Sequence, residues 1–315
     1  MPYRVLVSAP YFLPVVDEFK TYFDQHDIEI VIADVEERME EHQLLELIAD
    51  VDGVLCGDDR FTAKVMDAAP RLKVIAKWGT GIDSIDADAA SNRGIRVCRT
   101  PDAFTHPVAD SVLGYILSFA RNIPFMDQAM KRGEWNKIPG RALNESTVGV
   151  IGVGAIGEAV LERARPFGAM LLGNDIRTID DSITSSLGVE MTSLDDLLSR
   201  SDYISVNCDL TPESHHLINE QTLGMIQPNA VLVNCARGPI IDEKALEIAV
   251  REKRIGGVAL DVFENEPLPG NSELRNFSNV LMAPHNSNSS PSAWQRVHLN
   301  TLDQLVASLK DAEYK

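Results

Sequence analysis

The glycine-rich stretch at residues 148–157 constrains the fold of this chain more than any other segment. Residues 148–151 form a short, mostly β-branched run that predicts a buried parallel strand. Gly152, Gly154 and Gly157 follow with the spacing Gly-x-Gly-x-x-Gly. The first glycine of such a motif permits a tight turn, the second lets the backbone approach a pyrophosphate, and the third lets the next helix pack closely on the strand. The pattern therefore predicts a strand–turn–helix unit that can hold a dinucleotide.

The continuation of this motif favours one dinucleotide over another. A helix from about Ala155 to Phe167 would direct its N-terminal amide groups at the phosphates. A second apolar run, Met170 to Gly173, then leads to Asp175. An acidic side chain there can hydrogen-bond both ribose hydroxyls and repels a 2′-phosphate, which favours NAD over NADP. Arg177 argues the other way, because an arginine just past the acid can tolerate NADP. The alternative is a glycine turn that serves only helix packing in an unliganded α/β domain.

Composition restricts the class of protein. The 315 residues allow two domains with separate cores. The net charge of -18 and the lack of a basic stretch argue against nucleic acid and against anionic membrane surfaces. No segment is typical of a signal peptide or a membrane span. We expect reduced thiols in a cytoplasmic protein and no metal site, because no paired spacing connects the cysteines, Cys56, Cys98, Cys208 and Cys235.

The alternation of apolar runs with helical patterns predicts an α/β fold. Between residues 1 and 99, runs such as Arg4 to Ser8 and Gly53 to Cys56 alternate with helical segments. Such alternation gives a parallel sheet with right-handed crossovers. Beyond the glycine motif the alternation resumes and ends with the strand Val280 to Met282. The last helical segment, Ala293 to Leu309, is expected to return to the N-terminal unit.

Two segments precede the glycine motif. A long apolar helix, Val108 to Arg121, is expected to bridge from the first unit into the dinucleotide domain. The stretch 126–141 follows, and its pattern predicts a helix and then a loop. Trp135 in this stretch is consistent either with a subunit contact or with an anchor in the core, and both alternatives stay open.

A second glycine-rich segment, Lys77 to Asp83, follows a predicted strand that ends at Ala76. Ligands of parallel sheets bind beyond the carboxyl ends of the strands. Gly79 and Gly81 flank Thr80 and leave backbone amides available to hold a carboxylate. A connection without a ligand is an equally open alternative.

Three polar side chains follow strands on the C-terminal side of the glycine motif. Arg237, Glu266 and His285 each come after a predicted parallel strand, so they are expected to converge where the nicotinamide lies. Hydride transfer between a C–OH group and NAD requires a proton acceptor, and histidine titrates in the right range. A carboxylate partner orients an imidazole, and an arginine can clamp a substrate carboxylate. The alternative for the histidine is a purely structural hydrogen bond.

A set of short motifs extends this pattern from about residue 50 to residue 290. The set comprises Lys77 to Asp83, Thr100-Pro101, Leu210-Thr211-Pro212, Asn234-Cys235-Ala236-Arg237-Gly238, Ala259-Leu260-Asp261-Val262-Phe263-Glu264-Asn265-Glu266-Pro267 and Ala283-Pro284-His285. These motifs resemble the signatures of the D-isomer-specific 2-hydroxyacid dehydrogenases, with the closest likeness to the phosphoglycerate dehydrogenase-like branch.

The resemblance implies a domain organisation. We expect two Rossmann-like, doubly wound parallel-sheet domains of the α/β class. The substrate domain would be discontinuous and comprise residues 1–99 and 287–315, and an NAD-binding domain of residues 100–286 would be inserted into it. The usual assembly is a homodimer built through the NAD-binding domain.

The resemblance also implies roles for single residues. His285 would be the catalytic acid/base, Glu266 its partner and Arg237 the substrate clamp. Substrate contacts are expected at Trp78, Gly79, Thr80, Gly81 and Arg237. Cofactor contacts are expected at Thr80, Gly152, Gly154, Ala155, Ile156, Gly157, Asp175, Cys208, Cys235, Ala236 and Asp261.

One departure from the family pattern bears on the substrate. Where phosphoglycerate enzymes usually carry an arginine and small residues, this chain has Cys56-Gly57-Asp58-Asp59-Arg60. Asp58 and Asp59 disfavour a phosphate group, although Arg60 could partly compensate.

Taken together, the motifs indicate an NAD-dependent oxidoreductase that interconverts a small 2-hydroxy acid and its 2-keto acid by hydride transfer. Substrates of glyoxylate or hydroxypyruvate type and of phosphoglycerate type both stay open. The alternative is an NADH-sensing, corepressor-like binding protein, against which the acidic charge and the lack of interaction tails weigh.

Overall fold

Two parallel β-sheets organise the chain, one in each of two structural units. The computed structural model describes residues 2–311. The first unit comprises Met1–Ala103 and Ser290–Lys315, and the second comprises Phe104–Ser289. The α/β class with two parallel-sheet domains is therefore confirmed, and the discontinuous unit is built from both ends of the chain.

The sheet of the first unit has flavodoxin-like strand order. Within residues 2–311, this unit has the strands β1 (Tyr3–Val7), β2 (Ile28–Ile32), β3 (Gly53–Cys56), β4 (Val74–Lys77) and β5 (Arg96–Cys98). They pair in parallel in the order β2-β1-β3-β4-β5. The helices between them are α1 (Lys20–Gln25), α2 (Glu41–Leu47), α3 (Ala63–Asp67) and α4 (Ala87–Asn92). Every position of β3 and β4 is buried, as expected for central strands covered on both faces.

The second unit contains the larger sheet. Its strands are β6 (Thr147–Ile151), β7 (Met170–Asn174), β8 (Val189–Met191), β9 (Tyr203–Val206), β10 (Val231–Asn234), β11 (Gly257–Leu260) and β12 (Val280–Met282). Its helices are α5 (Thr105–Ala120), α6 (Ile123–Lys131), α7 (Ala155–Ala164), α8 (Asp181–Leu187), α9 (Leu194–Arg200), α10 (Glu220–Leu223) and α11 (Glu243–Arg251). The parallel strand order is β12-β11-β10-β9-β6-β7-β8. The direction of winding changes between β6 and β9, and the crevice at such a switch point is where open α/β sheets bind ligands.

The C-terminal helix closes the first unit. This helix, α12 (Pro291–Asp311), packs against β3, β4 and β5. A Cβ added to Gly53 would lie 3.0 Å from the side chain of Leu305, so the glycine leaves room for the helix. The predicted return of the tail to the N-terminal unit is thereby confirmed.

Several elements were not predicted from the sequence. These are α4, β5, α8, β8 and α10, and two of them are edge strands of three residues, too short to show a periodic pattern. The helix after the glycine motif ends at Ala164, because Pro166 lacks an N–H group and the chain continues as a 3₁₀-helix. The 3₁₀-helices of the described chain span Leu13–Phe19, Leu143–Glu145, Arg165–Phe167, Gly238–Ile240 and Glu273–Asn276.

The exposure of Trp135 distinguishes between the two alternatives for this residue, a subunit contact and an anchor in the core. It lies in the loop after α6 and is 79% exposed, so the prediction of a core anchor is wrong. Among residues 2–311, none of the helices combines the length and the apolar character that crossing a membrane requires.

Candidate active site

The glycine motif follows β6 and forms the turn that its spacing predicts. Gly152 has a φ of 88°, a conformation that favours glycine. A Cβ on Gly152 would lie 2.6 Å from the backbone nitrogen of Cys208. A Cβ on Gly157 would lie 2.0 Å from the carbonyl oxygen of Gly152. A larger residue at either position would displace backbone atoms, so the first and third glycines are required for packing.

The second glycine is open where the other two are crowded. Gly154 is the N-cap of α7, and beyond its chain neighbours the nearest atom to an added Cβ is Nη2 of Arg177, at 3.7 Å. The N–H groups of Ala155 and Ile156 belong to the first turn of the helix, where backbone donors lack partners within the helix. Open space beside such donors fits an anionic diphosphate. These residues therefore fit the pyrophosphate of the predicted dinucleotide.

Asp175 follows β7 and lies beside the glycine turn. Its carboxylate accepts hydrogen bonds from the backbone N–H groups of Val153 and Arg177, both at 2.8 Å. The guanidinium of Arg177 donates to both oxygens, at 3.0 and 3.1 Å. Burial opposes ionisation of Asp175, but these hydrogen bonds outweigh it and hold the pKa of the carboxyl below its usual value. These four hydrogen bonds occupy both carboxylate oxygens, three of them come from Arg177, and the ribose contact of Asp175 stays a prediction.

Three further residues expected to contact the cofactor lie at the ends of neighbouring strands. Cys208 passes beside Gly152 after β9, and Cys235 and Ala236 follow β10. Burial raises the pKa of the Cys208 thiol to about 11 and that of the Cys235 thiol well above its usual range. Neither cysteine is a thiolate nucleophile near neutral pH, and their cofactor contacts stay predictions.

His285 and Glu266 come together in the structure. Nδ1 of His285 lies 3.0 Å from Oε2 of Glu266, and the two side chains keep only 17% and 13% of their surface exposed. The other carboxylate oxygen, Oε1, accepts a hydrogen bond from the N–H group of Phe263 at 2.9 Å. A carboxylate on Nδ1 fixes the tautomer and orientation of an imidazole and leaves Nε2 for proton transfer. An imidazole held in this way can act as an acid/base, and the catalytic roles of His285 and Glu266 stay predictions.

Asp261 holds the segment that carries His285. Its carbonyl oxygen accepts a hydrogen bond from the N–H group of His285 at 2.7 Å. Its carboxylate accepts from the N–H groups of Asn286 at 2.8 Å and Ser287 at 2.9 Å. His285 has a φ of 49°, so a buried carboxylate maintains an uncommon backbone conformation at this histidine. The contact of Asp261 with the cofactor stays a prediction.

Arg237 lies on a turn that Asn234 closes. The side-chain amide of Asn234 donates to the carbonyl oxygen of Arg237 at 2.9 Å and accepts from the N–H group of Ala236 at 3.0 Å. Asn234 is a functional residue that was not predicted from the sequence. Its position at the end of an otherwise apolar strand is a signal in the sequence, because a buried amide must have hydrogen-bond partners and can therefore hold a turn.

The Arg237 turn packs on the loop that carries Glu266. A Cβ added to Gly238 would lie 1.9 Å from the carbonyl carbon and oxygen of Phe263, so the two backbones are in direct contact. The strands before these segments, β10 and β11, are neighbours in the sheet. The second unit therefore brings together the segments that carry Arg237, Glu266 and His285.

The glycine loop expected to bind the substrate carboxylate is held from within the first unit. Trp78 is buried, and its indole N–H donates to Nδ1 of His298 at 2.9 Å. Burial lowers the pKa of His298, which favours the neutral imidazole that can accept this hydrogen bond. The hydroxyl of Thr80 donates to the carbonyl oxygen of Thr100 at 3.0 Å. Substrate contacts of residues 78–81 stay predictions. At Trp78 we expect such a contact to involve the backbone, because the indole is buried in the core.

Lys77 and Asp58 form an ion pair that the sequence analysis did not predict. Lys77 ends β4, and Asp58 lies just beyond the end of the neighbouring strand β3. Nζ of Lys77 lies 3.3 Å from Oδ1 of Asp58 and donates to the carbonyl oxygen of Trp78 at 3.2 Å, while the lysine side chain is only 4% exposed. The charge of Lys77 is thus offset by a neighbouring carboxylate at the carboxyl end of the sheet.

Asp59, the second acid of this segment, is buried. Its carboxylate accepts hydrogen bonds from the hydroxyl of Ser8 and from the N–H group of Met39, the latter at 2.7 Å. Burial raises the pKa of Asp59 to about 6, although these hydrogen bonds oppose the shift. The carboxyl ends of β1, β3 and β4 therefore carry two acids and one lysine.

Comparisons with known proteins agree with the geometry. A family model described as D-isomer specific 2-hydroxyacid dehydrogenase, NAD binding domain, matches residues 113–287. A glyoxylate reductase from Thermofilum pendens is 42% identical over 275 residues, which cover 85% of this chain and 81% of the relative. A D-3-phosphoglycerate dehydrogenase from Methanocaldococcus jannaschii is 39% identical over 272 residues, which cover 85% of this chain and 52% of the relative. The crystal structure of a D-lactate dehydrogenase from Aquifex aeolicus, complexed with NAD and lactic acid, matches with a TM-score of 0.85 at 27% identity and covers 98% of this chain and 96% of that chain.

Proposed function

Because this chain belongs to the D-isomer-specific 2-hydroxyacid dehydrogenase family, we propose that it reduces a small, unphosphorylated 2-keto acid with NADH. Membership makes the chain an NAD-dependent oxidoreductase that interconverts 2-hydroxy acids and 2-keto acids. The corepressor-like alternative finds no support among these relatives.

The hydrogen-bonded pair of His285 and Glu266 carries this proposal. With Glu266 on Nδ1, Nε2 of His285 delivers a proton to the carbonyl oxygen of the keto acid and accepts it back in the reverse reaction. Glu266 stabilises the protonated imidazole, and the N–H group of Phe263 holds the carboxylate in place. Arg237 clamps the carboxylate of the substrate through charge-assisted hydrogen bonds. NADH, when bound, supplies the hydride that complements this proton transfer.

We assign the cofactor to the switch point of the second unit. The open side of Gly154 and the first turn of α7 would hold the pyrophosphate, and Asp175 would hold the ribose hydroxyls. The remaining cofactor contacts of this assignment are Thr80, Gly152, Ile156, Gly157, Cys208, Cys235, Ala236 and Asp261.

The charges of the first unit support an unphosphorylated substrate. Lys77 already has Asp58 as its partner, and Asp59 is buried beside the pair. A phosphate near these residues would meet a lysine whose charge is offset and a second acid. The names of the relatives include both glyoxylate reductase and D-3-phosphoglycerate dehydrogenase, and the latter is covered over only 52% of its length. Glyoxylate and hydroxypyruvate are therefore the substrates we propose.

A homodimer through the second unit is part of the same proposal. Exposed apolar side chains concentrate at one segment of this unit, and they are Ile123, Met130, Trp135 and Ile138. Large apolar side chains exposed together mark interaction surfaces. Light scattering after size exclusion tests this assignment: we expect a dimer for the parent and a monomer for Trp135→Ser, and a monomeric parent would contradict it.

A cytoplasmic location completes the proposal. All four cysteines are free thiols, and three of them are buried. Free thiols persist in reducing compartments.

A panel of 2-keto acids tests the proposed reaction. We expect NADH oxidation with glyoxylate and hydroxypyruvate, and a lower kcat/KM with 3-phosphohydroxypyruvate. If 3-phosphohydroxypyruvate is the best substrate, the proposed substrate class is wrong and Arg60 becomes the candidate phosphate ligand. If no 2-keto acid is reduced while NADH binds, the proposed reaction itself is wrong.

A further inference from the structure

We propose that His216, Glu264 and Glu243 form a positioning network that holds the loop of Glu266 in register with His285. The inference rests on the proposed function, because the network acts through the acid/base pair of that reaction. None of its three side chains belongs to the assigned catalytic or binding groups.

Hydrogen bonds join three separate elements in this network. Nε2 of His216, in the loop after β9, lies 2.6 Å from Oε1 of Glu264, in the loop after β11. The N–H group of Glu264 donates to Oε2 of Glu243 at 3.1 Å. Glu243 begins α11, and its N–H group donates to Oε1 of Glu264 at 3.5 Å. The backbone and the side chain of Glu264 are thus both fixed from outside its loop.

The network is continuous with the acid/base pair. Phe263 and Glu264 are adjacent, and their two N–H groups donate to different carboxylates, that of Glu266 and that of Glu243 respectively. A shift of the backbone at Glu264 therefore moves the donor that holds Glu266. The close contact of Gly238 with the carbonyl group of Phe263 also restricts motion of this backbone.

His216 is built into the fold and is not a free surface histidine. Its φ is 52°, its N–H group donates to the carbonyl oxygen of Pro239 at 2.9 Å, and its carbonyl oxygen accepts from the side chain of Asn219 at 3.0 Å. An uncommon backbone conformation persists only where surrounding contacts enforce it. Those contacts fix the direction from which the imidazole reaches Glu264.

The electrostatics of the site explain why a histidine is needed. Burial raises the pKa of the Glu243 carboxyl, and the charges of Glu264, Glu247 and Glu266 raise it further, against the hydrogen bond from the Glu264 N–H group. Several carboxylates thus lie close together behind the active-site loop. The imidazole donor on Glu264 offsets part of their mutual repulsion.

The pair of His216 and Glu264 is partly exposed, so its loss should change stability little. The side chains of His216 and Glu264 are 37% and 26% exposed, and pairs of this kind contribute little to folding. A small displacement of reacting groups, in contrast, lowers the rate strongly even when the substitution lies away from the chemistry. A rate effect without a stability effect is therefore the signature of positioning.

Kinetics of Glu264→Ala test the proposal. We expect kcat for glyoxylate reduction to fall about 10- to 100-fold, while KM, NADH affinity and Tm change little. The deuterium isotope effect with 4-deuterated NADH should rise, because a misplaced acid/base pair makes chemistry slower. Glu264→Gln keeps an acceptor for His216 and should restore most of kcat.

The matched control is Glu190→Ala, which removes an exposed ion pair with Arg200 elsewhere in the second unit. It should leave kcat and the isotope effect unchanged. A kcat for Glu264→Ala within about twofold of the parent, or a loss equal to the loss of folded protein, would overturn the network. If Glu264→Ala does not fold, His216→Ala replaces it with the same expected split between kcat and KM.

A measurement without turnover separates this proposal from the proposed function. If the parent protein reduces none of the 2-keto acids, the proposed function is refuted but the network is not. The imidazole nitrogen resonances of His285, followed by NMR, then report on the network. We expect them to move in Glu264→Ala and to stay in place in Glu190→Ala. Unchanged His285 resonances in Glu264→Ala overturn the network whatever the reaction is.

Discussion

Each unit of this chain carries a pair of a basic side chain and a carboxylate at the carboxyl end of its sheet. In the second unit the pair is His285 with Glu266, at 3.0 Å, and in the first it is Lys77 with Asp58, at 3.3 Å. The basic side chains of both pairs are largely buried, and each of the four residues ends a strand or lies in the segment that follows one. The location is the one that parallel sheets use for ligands.

The two pairs differ in the basic side chain, which is an imidazole in the second unit and an ammonium in the first. An imidazole exchanges its proton near neutral pH, and its carboxylate partner leaves one ring nitrogen for chemistry. An ammonium keeps its charge near neutral pH, so a carboxylate beside it changes only the charge that a ligand meets. Pairs at the carboxyl ends of two parallel sheets are therefore suited to proton transfer in one case and to charge selection in the other.

Breaking the pair in the second unit should have the largest effect. We expect His285→Ala to lower kcat by roughly two to four orders of magnitude, the range for loss of general acid/base catalysis. NADH affinity should change little, because the glycine turn is untouched. Steady-state kinetics, with NADH binding measured by fluorescence, check this. Near-parental turnover would return His285 to a structural role.

Arg237 separates substrate binding from proton transfer, because it lies in the same unit as His285 and is proposed to bind the substrate carboxylate. We expect Arg237→Lys to raise KM for the keto acid by about 10- to 100-fold, since one ammonium cannot reproduce a planar two-point clamp. The effect on kcat should be smaller. A variant with unchanged KM would remove Arg237 from the substrate site.

A substitution of Asp175 tests the ion pair of Asp175 and Arg177, which we assign to cofactor binding. We expect Asp175→Ala to reduce the preference for NADH over NADPH by about 1–2 kcal/mol, because the carboxylate that binds ribose is lost and Arg177 loses its partner. The ratio of kcat/KM values for the two cofactors is the measurement. A parent enzyme with equal efficiency for both would already contradict the assignment.

Breaking the pair in the first unit should change selectivity more than rate. We expect Asp58→Asn to raise kcat/KM for 3-phosphohydroxypyruvate relative to glyoxylate by about fivefold, since the charge of Lys77 is no longer offset. Asp67→Asn is the matched control, because it removes a carboxylate of the same unit that pairs with Arg93 instead. Equal ratios in the parent and both variants would show that Lys77 does not face the substrate.

Patterns of neighbouring residues in the sequence were sufficient to predict the glycine turn and several strands. The run before Gly152, the glycine spacing and the strands β3, β11 and β12 could be predicted because steric and hydrophobic requirements act over a few neighbouring residues. The same holds for Arg237, Glu266 and His285, which lie in short motifs after strands. Their approach follows from the rule that parallel strands deliver their carboxyl ends to one edge.

The partners of those side chains were decided by the tertiary structure. Trp78 bonds to His298 across 220 residues, and His216 bonds to Glu264 across 48. The ion pair of Lys77 depends on the pairing of β3 with β4, which no local pattern encodes.

The sequence by itself determined the class of fold, the dinucleotide turn and the residues of the proposed acid/base pair, because each depends on spacing along the chain. Only the tertiary structure decided that Trp135 is exposed, that Asp261 holds the His285 segment and that Asp58 offsets Lys77. The physical reason is that burial, hydrogen bonding and charge pairing depend on distances between groups that are remote in sequence.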